Sequence, residues 1–259
     1  MKILAWFCAA GVFASSSFAQ PSIFADGVLN GASFAKGQAV APGGAVAVFG
    51  TGLAAATIPG STIPLSTNIG GTTVTVNGFP AGLYFVSDGQ VNVQLPWELQ
   101  PGPATMVINN GGAASAPFQF QVTAAAPGVF SIPPGVGYGI AINPDGSLAA
   151  PAGAIPGVPT HPANVGDTLI VLATGLGAVS PAVADSAASL DALRFTLITP
   201  VVTIGGKQAQ VSFSGLAPQF PGINQLNVVV PPGVSGPSLP LQIQMNGITS
   251  TDQVVIAVQ

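Results

Sequence analysis

The sequence predicts an all-β chain built as two tandem β-sandwiches, and three observations carry that expectation. Short alternating or continuous apolar runs recur every 8 to 15 residues between Gly, Pro, Asn and Asp, the spacing of a sandwich or barrel. Charged residues make up only 5% of the chain, against 34 Gly and 25 Pro, a composition of turns and packed strands. Low charge with a positive mean hydropathy also argues against disorder, which needs the opposite combination. Third, segments of the first half recur in the same order in the second.

Taken from the amino end, Lys2 precedes an apolar run from Ile3 to Val12 and the small-residue sequence Ser15-Ser16-Ser17-Phe18-Ala19-Gln20. That pattern predicts a signal peptide over 1–19, cleaved after Ala19, and hence export to the cell surface or medium. The run is too short to span a bilayer, which takes about 20 apolar residues. The only cysteine, Cys8, lies in this segment. The remaining chain therefore has no thiol for a disulfide, a nucleophile or a metal.

Clear strands are expected at 45–49, 73–76, 83–86, 91–95, 105–108 and 118–122, then at 168–172, 201–204, 209–213, 226–230, 239–245 and 254–258. Asn77-Gly78 and Gly205-Gly206 each sit between alternating strands and predict two-residue hairpins, because such pairs tolerate positive φ. An Ala-rich stretch, Ala182 to Phe195, fits a short helix or an irregular connection equally well.

The repeat is explicit. Thr51-Gly52-Leu53 returns as Thr174-Gly175-Leu176, and Val74-Thr75-Val76-Asn77-Gly78 as Val202-Thr203-Ile204-Gly205-Gly206. Gln90-Val91-Asn92-Val93 with Pro96 returns as Gln225-Leu226-Asn227-Val228 with Pro231, and Asn110-Gly111 as Asn246-Gly247. The separations are 123, 128, 135 and 136 residues, growing along the chain. Ordered matches with growing offsets point to duplication with insertions in the second copy. A unit of this size suits one immunoglobulin-like sandwich, giving an expected division into 20–130 and 131–259, with Pro and Gly between Ala124 and Val136 as a short, stiff linker.

The matched segments resemble a family of uncharacterised immunoglobulin-like domains at the C-termini of exported proteins of the acidobacterial, Solibacter type. The likeness rests on Asn30-Gly31-Ala32-Ser33-Phe34, Ala41-Pro42-Gly43, Phe49-Gly50-Thr51-Gly52-Leu53 and Gln90-Val91-Asn92-Val93-Gln94-Leu95-Pro96. It continues through Ala126-Pro127-Gly128-Val129-Phe130, Asp145-Gly146-Ser147, Ala173-Thr174-Gly175-Leu176-Gly177, and Gly222 with Gln225-Leu226-Asn227-Val228. The resemblance implies the fold; it brings no catalytic residues.

No motif supplies a chemistry. Gly50-Thr51-Gly52-Leu53-Ala54-Ala55 has the dinucleotide spacing, but Pro59-Gly60 forbids the helix that would hold a pyrophosphate, and Ala173 replaces the first glycine in the second copy. His161, the sole histidine, lies between Pro159 and Pro162 with no nucleophile elbow elsewhere. Glu98 and seven Asp scattered among turns do not form the carboxylate pair of a glycosidase. Asn143-Pro144-Asp145-Gly146-Ser147 faintly resembles a calcium loop without its other acidic ligands. Catalytic, cofactor and metal sites are accordingly expected to be absent.

Three basic residues beyond Lys2, namely Lys36, Arg194 and Lys207, are too dispersed for nucleic acid. An outer-membrane barrel would need aromatic girdles, whereas Tyr and Trp are scarce. The expected role is a non-enzymatic binding or structural module in contact with a polysaccharide or an envelope protein. A secreted hydrolase with an inter-domain site is the alternative. Trp97, Tyr84 and Tyr138, the only Trp and Tyr after the signal segment, are the candidate binding surface, Trp97 doubling as a rim residue between the domains. The repeated Gln-x-Asn pairs, Gln90 with Asn92 and Gln225 with Asn227, either line a polar surface for a ligand or, as their recurrence favours, satisfy backbone groups of neighbouring loops. Few charges guard the sheet edges, so strand-mediated self-association is a further expectation.

Overall fold

The computed structural model describes residues 20–259; the expected signal peptide, with Lys2 and Cys8, lies outside the described residues. The fold is all-β and immunoglobulin-like, and none of the described residues is helical. No described helix is long and apolar enough to cross a membrane.

In the first half the main strands are β1 (Ser22–Asn30), β2 (Ala45–Thr51), β3 (Thr72–Val76), β4 (Gly82–Val86), β5 (Gln90–Gln94), β6 (Gly102–Asn110) and β7 (Phe118–Val122). One sheet runs β1-β2-β5-β4, ending on Ile58–Pro59, and the other runs β7-β6-β3, ending on Phe79–Pro80. Inward positions alternate along these strands: Val46 and Val48, Val91 and Val93, Met106 and Ile108 are all at most 2% exposed. Such alternation is what a sheet with one buried face requires.

The second half repeats this plan with β8 (Tyr138–Gly139), β9 (Ala141–Ile142), β10 (Thr168–Thr174), β11 (Val201–Ile204), β12 (Lys207–Leu216), β13 (Ile223–Val229), β14 (Gly236–Met245) and β15 (Val255–Val258). Its strands are ordered β9-β10-β13-β12 and β15-β14-β11-β12. The long β12 serves both layers: its start pairs with β11 and the remainder with β13. Phe79–Pro80 and β4 divide that work in the first half.

Local details repeat as well. The register slips once between Leu83 and Phe85 and once between Val211 and Phe213, leaving Tyr84 and Ser212 as the bulged residues. Gln90 Nε2 donates to Asn92 Oδ1 at 2.8 Å and Gln225 Nε2 to Asn227 Oδ1 at 2.9 Å. Ser115 Oγ accepts from Ile108 N at 3.1 Å, as Ser250 Oγ does from Ile243 N at 3.2 Å. Both expected hairpins have positive φ at their two central residues, 49° and 85° at Asn77-Gly78 and 57° and 78° at Gly205-Gly206.

Two buried clusters result. One gathers apolar residues from Val28 to Val122 and the other from Ala125 to Val258. The Ala182–Phe195 stretch is the irregular connection of the two alternatives, closed by Arg194, whose Nη1 and Nη2 reach the carboxylate of Asp191 at 2.7 and 3.1 Å while Nε donates to Ala182 O.

Candidate functional site

The two halves meet through hydrogen bonds between side chains of one and backbone of the other. Ala45 N donates to Thr174 Oγ1 at 2.8 Å, and that hydroxyl donates onward to Gly222 O at 2.8 Å. Asn30 Nδ2 donates to Ala126 O at 2.8 Å and Ser186 N to Gln94 Oε1 at 2.7 Å. Close approach depends on glycine: a Cβ on Gly222 would run into Gly43 O, and one on Gly82 into Ser186.

Above this seam, on the outer face of β2 and β5, lies a groove of about 230 Å³ lined by Phe34, Ala47, Tyr84, Asn92, Phe130 and Ile223. Its floor is low because the outward residues of β2 there are Ala45 and Ala47. A second cavity of about 410 Å³, lined by Phe24, Phe34, Phe49 and Lys36, adjoins it through Phe34. Phe34 has φ = 53°, an uncommon conformation for a bulky residue. Asn30 enforces it: its Oδ1 accepts from Ala32 N and Ser33 N, and its carbonyl from Phe34 N at 3.0 Å. The Phe34 ring then stands 6.1 Å from that of Phe49, tilted by 54°.

The candidate aromatics separate. Tyr84 lines the groove, with its hydroxyl donating to Pro221 O of the second half; burial pushes its ionisation well above the usual phenol range. Trp97 sits at the seam. Its ring covers Gly43, its N donates to Asp185 Oδ1 at 2.8 Å, and its Nε1 is buried without a partner. Tyr138 is in β8, beside β15, and neither it nor Trp97 lines the groove. Phe34, Phe49 and Phe130 lie within the motifs of the family resemblance, but nothing local in those motifs says that they converge.

The titratable groups are committed to structure. Asp145 Oδ1 accepts from Ser147 N and Oγ, and Oδ2 lies 2.9 Å from His161 Nε2. These bonds, those from Ser147 first, hold Asp145 down at about 2. The hydrogen bond to Pro162 O, then Asp145, raises His161. The loop's carboxylate oxygens thus face its own donors. Asp185 is raised by burial, with Glu98 adding to the shift. Asp252 Oδ2 accepts from Val129 N at 2.6 Å, and burial raises that carboxyl too. Among the described residues no three His, Cys, Asp or Glu gather as metal ligands would.

The chain resembles three solved structures at low identity. The Bacteroides ovatus mixed-linkage glucan utilization locus protein SGBP-B, in complex with a mixed-linkage heptasaccharide, is 14% identical with a TM-score of 0.34, over 85% of this chain and 42% of that one. The gamma-CGTase of alkalophilic Bacillus clarkii is 15% identical with a TM-score of 0.29, over 94% of this chain and 26% of that one. The plexin A4 extracellular region is 10% identical with a TM-score of 0.27, over 96% and 19%. The chain thus spans less than half the length of each. No curated protein sequence matches it. Residues 32–122, most of the first sandwich and including Phe34, Phe49, Tyr84 and Asn92, match the IPT/TIG domain.

Proposed function

We propose that the chain is an exported, non-enzymatic binding module whose ligand is a neutral polysaccharide, held in the groove over β2 and β5. The carrying observation is that groove: aromatic walls at Phe34, Tyr84 and Phe130, an Ala47 floor, and the amide of Asn92 as its polar group. Apolar concavities with a few placed polar groups are the usual form of small-ligand sites. Ring faces suit the C–H faces of sugars, while an amide orients hydroxyls. No charged side chain lines the groove, which favours an uncharged ligand over an acidic polymer. Export rests on the sequence of residues 2–19, and narrower kinship with the acidobacterial family on the motifs quoted above.

Titration calorimetry of the exported chain against soluble neutral glucans, mannans and xylans tests this. Binding by at least one class is expected, reduced tenfold or more by Ala47→Ile. Ile170 stands at the equivalent place of the second half, opposite Asn227 as Ala47 is opposite Asn92, and an unchanged thermal transition shows that the variant folds. Failure of every neutral polysaccharide to bind would overturn the reading.

A further inference from the structure

The strands β7 and β15 occupy corresponding edges, yet only one edge is fully covered. In the second half, Ala163 N donates to Ala257 O and Gln259 N to Ala163 O, both at 2.9 Å. Farther along the same edge, Gln253 N donates to Gly135 O at 2.9 Å and Val255 N to Gly137 O at 3.1 Å, so that β8 lies parallel to β15. In the first half the former contact recurs: Val40 N donates to Gln121 O at 3.1 Å and Thr123 N to Val40 O at 2.9 Å. The latter does not. Equal registers against β6 and β14 place Gln119 where Val255 stands, opposite Thr105 and Pro240 respectively.

Along a strand, N–H and C=O of one residue point to the same side and alternate with the next. Gln121 O faces Val40, so Gln121 N and both backbone groups of Gln119 face outward on that edge, and among the described residues no group bonds them. The segment that would cover them is diverted. Leu29 is opposite Ala47 as Ile142 is opposite Ile170, so Ala25-Asp26 correspond to Tyr138-Gly139. Instead of pairing with β7, Phe24–Gly27 bulge out of β1 between Ile23 and Val28, with φ = 54° at Asp26. A cavity of about 230 Å³ opens there, lined by Asp26, Gln38 and Phe118–Gln121.

We propose that the β7 edge is a strand-acceptor site, taking an extended, neutral, glycine-rich segment of a partner polypeptide, parallel to β7. Main-chain bonds supply the affinity in such strand addition. The second half shows what the slot accepts: Gly135-Val136-Gly137-Tyr138-Gly139, in which a Cβ on Gly139 would press on Val254. The edge carries no proline or charge from Phe118 to Val122 to repel a visiting strand. This site lies on the opposite sheet from the polysaccharide groove and does not depend on it.

The probe is a synthetic peptide with the sequence of residues 134–142, Pro-Gly-Val-Gly-Tyr-Gly-Ile-Ala-Ile, added to the exported chain while amide exchange is followed residue by residue. Exchange at Gln119 and Gln121 is expected to slow tenfold or more. The protection should vanish when the peptide nitrogen corresponding to Gly139 is methylated, and also in Gln119→Pro, a change that edge strands tolerate; an unchanged thermal transition shows that the variant folds. Absence of protection at millimolar peptide overturns the proposal. Protection that appears without peptide and grows with protein concentration also overturns it, assigning the edge to a second copy of the chain.

Discussion

The two halves share strand order, one bulge, an amide pair and a serine staple, yet they present different surfaces. At the bulge the first half has Tyr84, turned onto Pro221, while the second has Ser212, whose Oγ donates to Asn227 O at 3.3 Å. On the floor the first has Ala47 where the second has Ile170. At the edge the first diverts Phe24–Gly27 while the second lays down β8. The serine that satisfies a buried N–H is repeated, as Ser115 and Ser250, whereas the groups that shape concavity are not. Leaving a buried donor unpaired costs about 1–3 kcal/mol, whereas a change of apolar side chain at the floor leaves no polar group unpaired, so the two classes are free to drift at different rates.

The largest effect should come from the seam. Gly222 has φ = 69° and no room for a Cβ beside Gly43 O, whereas Gly206 has φ = 78° with open space around it. Gly206→Ala therefore isolates the backbone cost of a left-handed residue, roughly 1–2 kcal/mol. Gly222→Ala adds the loss of close packing between the halves, for a total of at least about 3 kcal/mol. Denaturant unfolding of both variants measures the difference. Equal losses would mean that the halves do not support each other through this contact.

A finer probe uses the repeated staple. Ser115→Ala and Ser250→Ala each remove the hydroxyl that satisfies a buried N–H, of Ile108 and Ile243 respectively. Each should lose about 1–2 kcal/mol, the two agreeing within ~0.5 kcal/mol. A marked inequality would show that like geometry hides unlike environments, and the halves would have to be treated as independent domains.

Much of this plan was legible in the sequence because strand alternation and hairpin turns are local. Val201–Ile204 and Phe118–Val122 were bounded to the residue, and Asn77-Gly78 and Gly205-Gly206 took the backbone that such pairs favour. β1 was missed because Asp26-Gly27 interrupts it, and that interruption is the bulge which opens the β7 edge. The groove was missed for a different reason. Its walls come from Phe34, Tyr84 and Phe130, far apart in the chain, and its floor is defined by the smallness of Ala45 and Ala47. Trp97 and Tyr138 stood out by rarity alone, and rarity carries no information about position; Trp97 went to the seam. Spacing two places both side chains of each Gln-x-Asn pair on one face, and there the two bond each other rather than the backbone of a neighbouring loop.

The smallest effect concerns Asp252, which has no counterpart in the first half, where Ala116 and Pro117 follow the equivalent serine. Its Oδ2 accepts from Val129 N, while Oδ1 is buried without a partner. Burial raises the folded-state pKa above the unfolded value of 3.8. A carboxyl raised in this way contributes its stability fully below the unfolded pKa and loses it as pH rises through the folded one. Asp145, held down at about 2 by its Ser147 and His161 bonds, acts in the opposite sense only at lower pH, where its contribution is lost as pH falls from 3.8. His161, raised by Pro162 O and Asp145, shares the sign of Asp252 but at higher pH, so the informative window lies above 4 and below the range in which His161 titrates. Across that window Asp252→Asn should reduce the decline of melting temperature with rising pH, Asp185 supplying the remainder, because it removes the proton that the wild type must release from a buried site. Ser115→Ala, in the other half, should leave the decline in place while lowering stability uniformly. A pH profile unchanged by Asp252→Asn would show that this carboxyl titrates normally in the folded chain, and the second half would then differ from the first in shape alone.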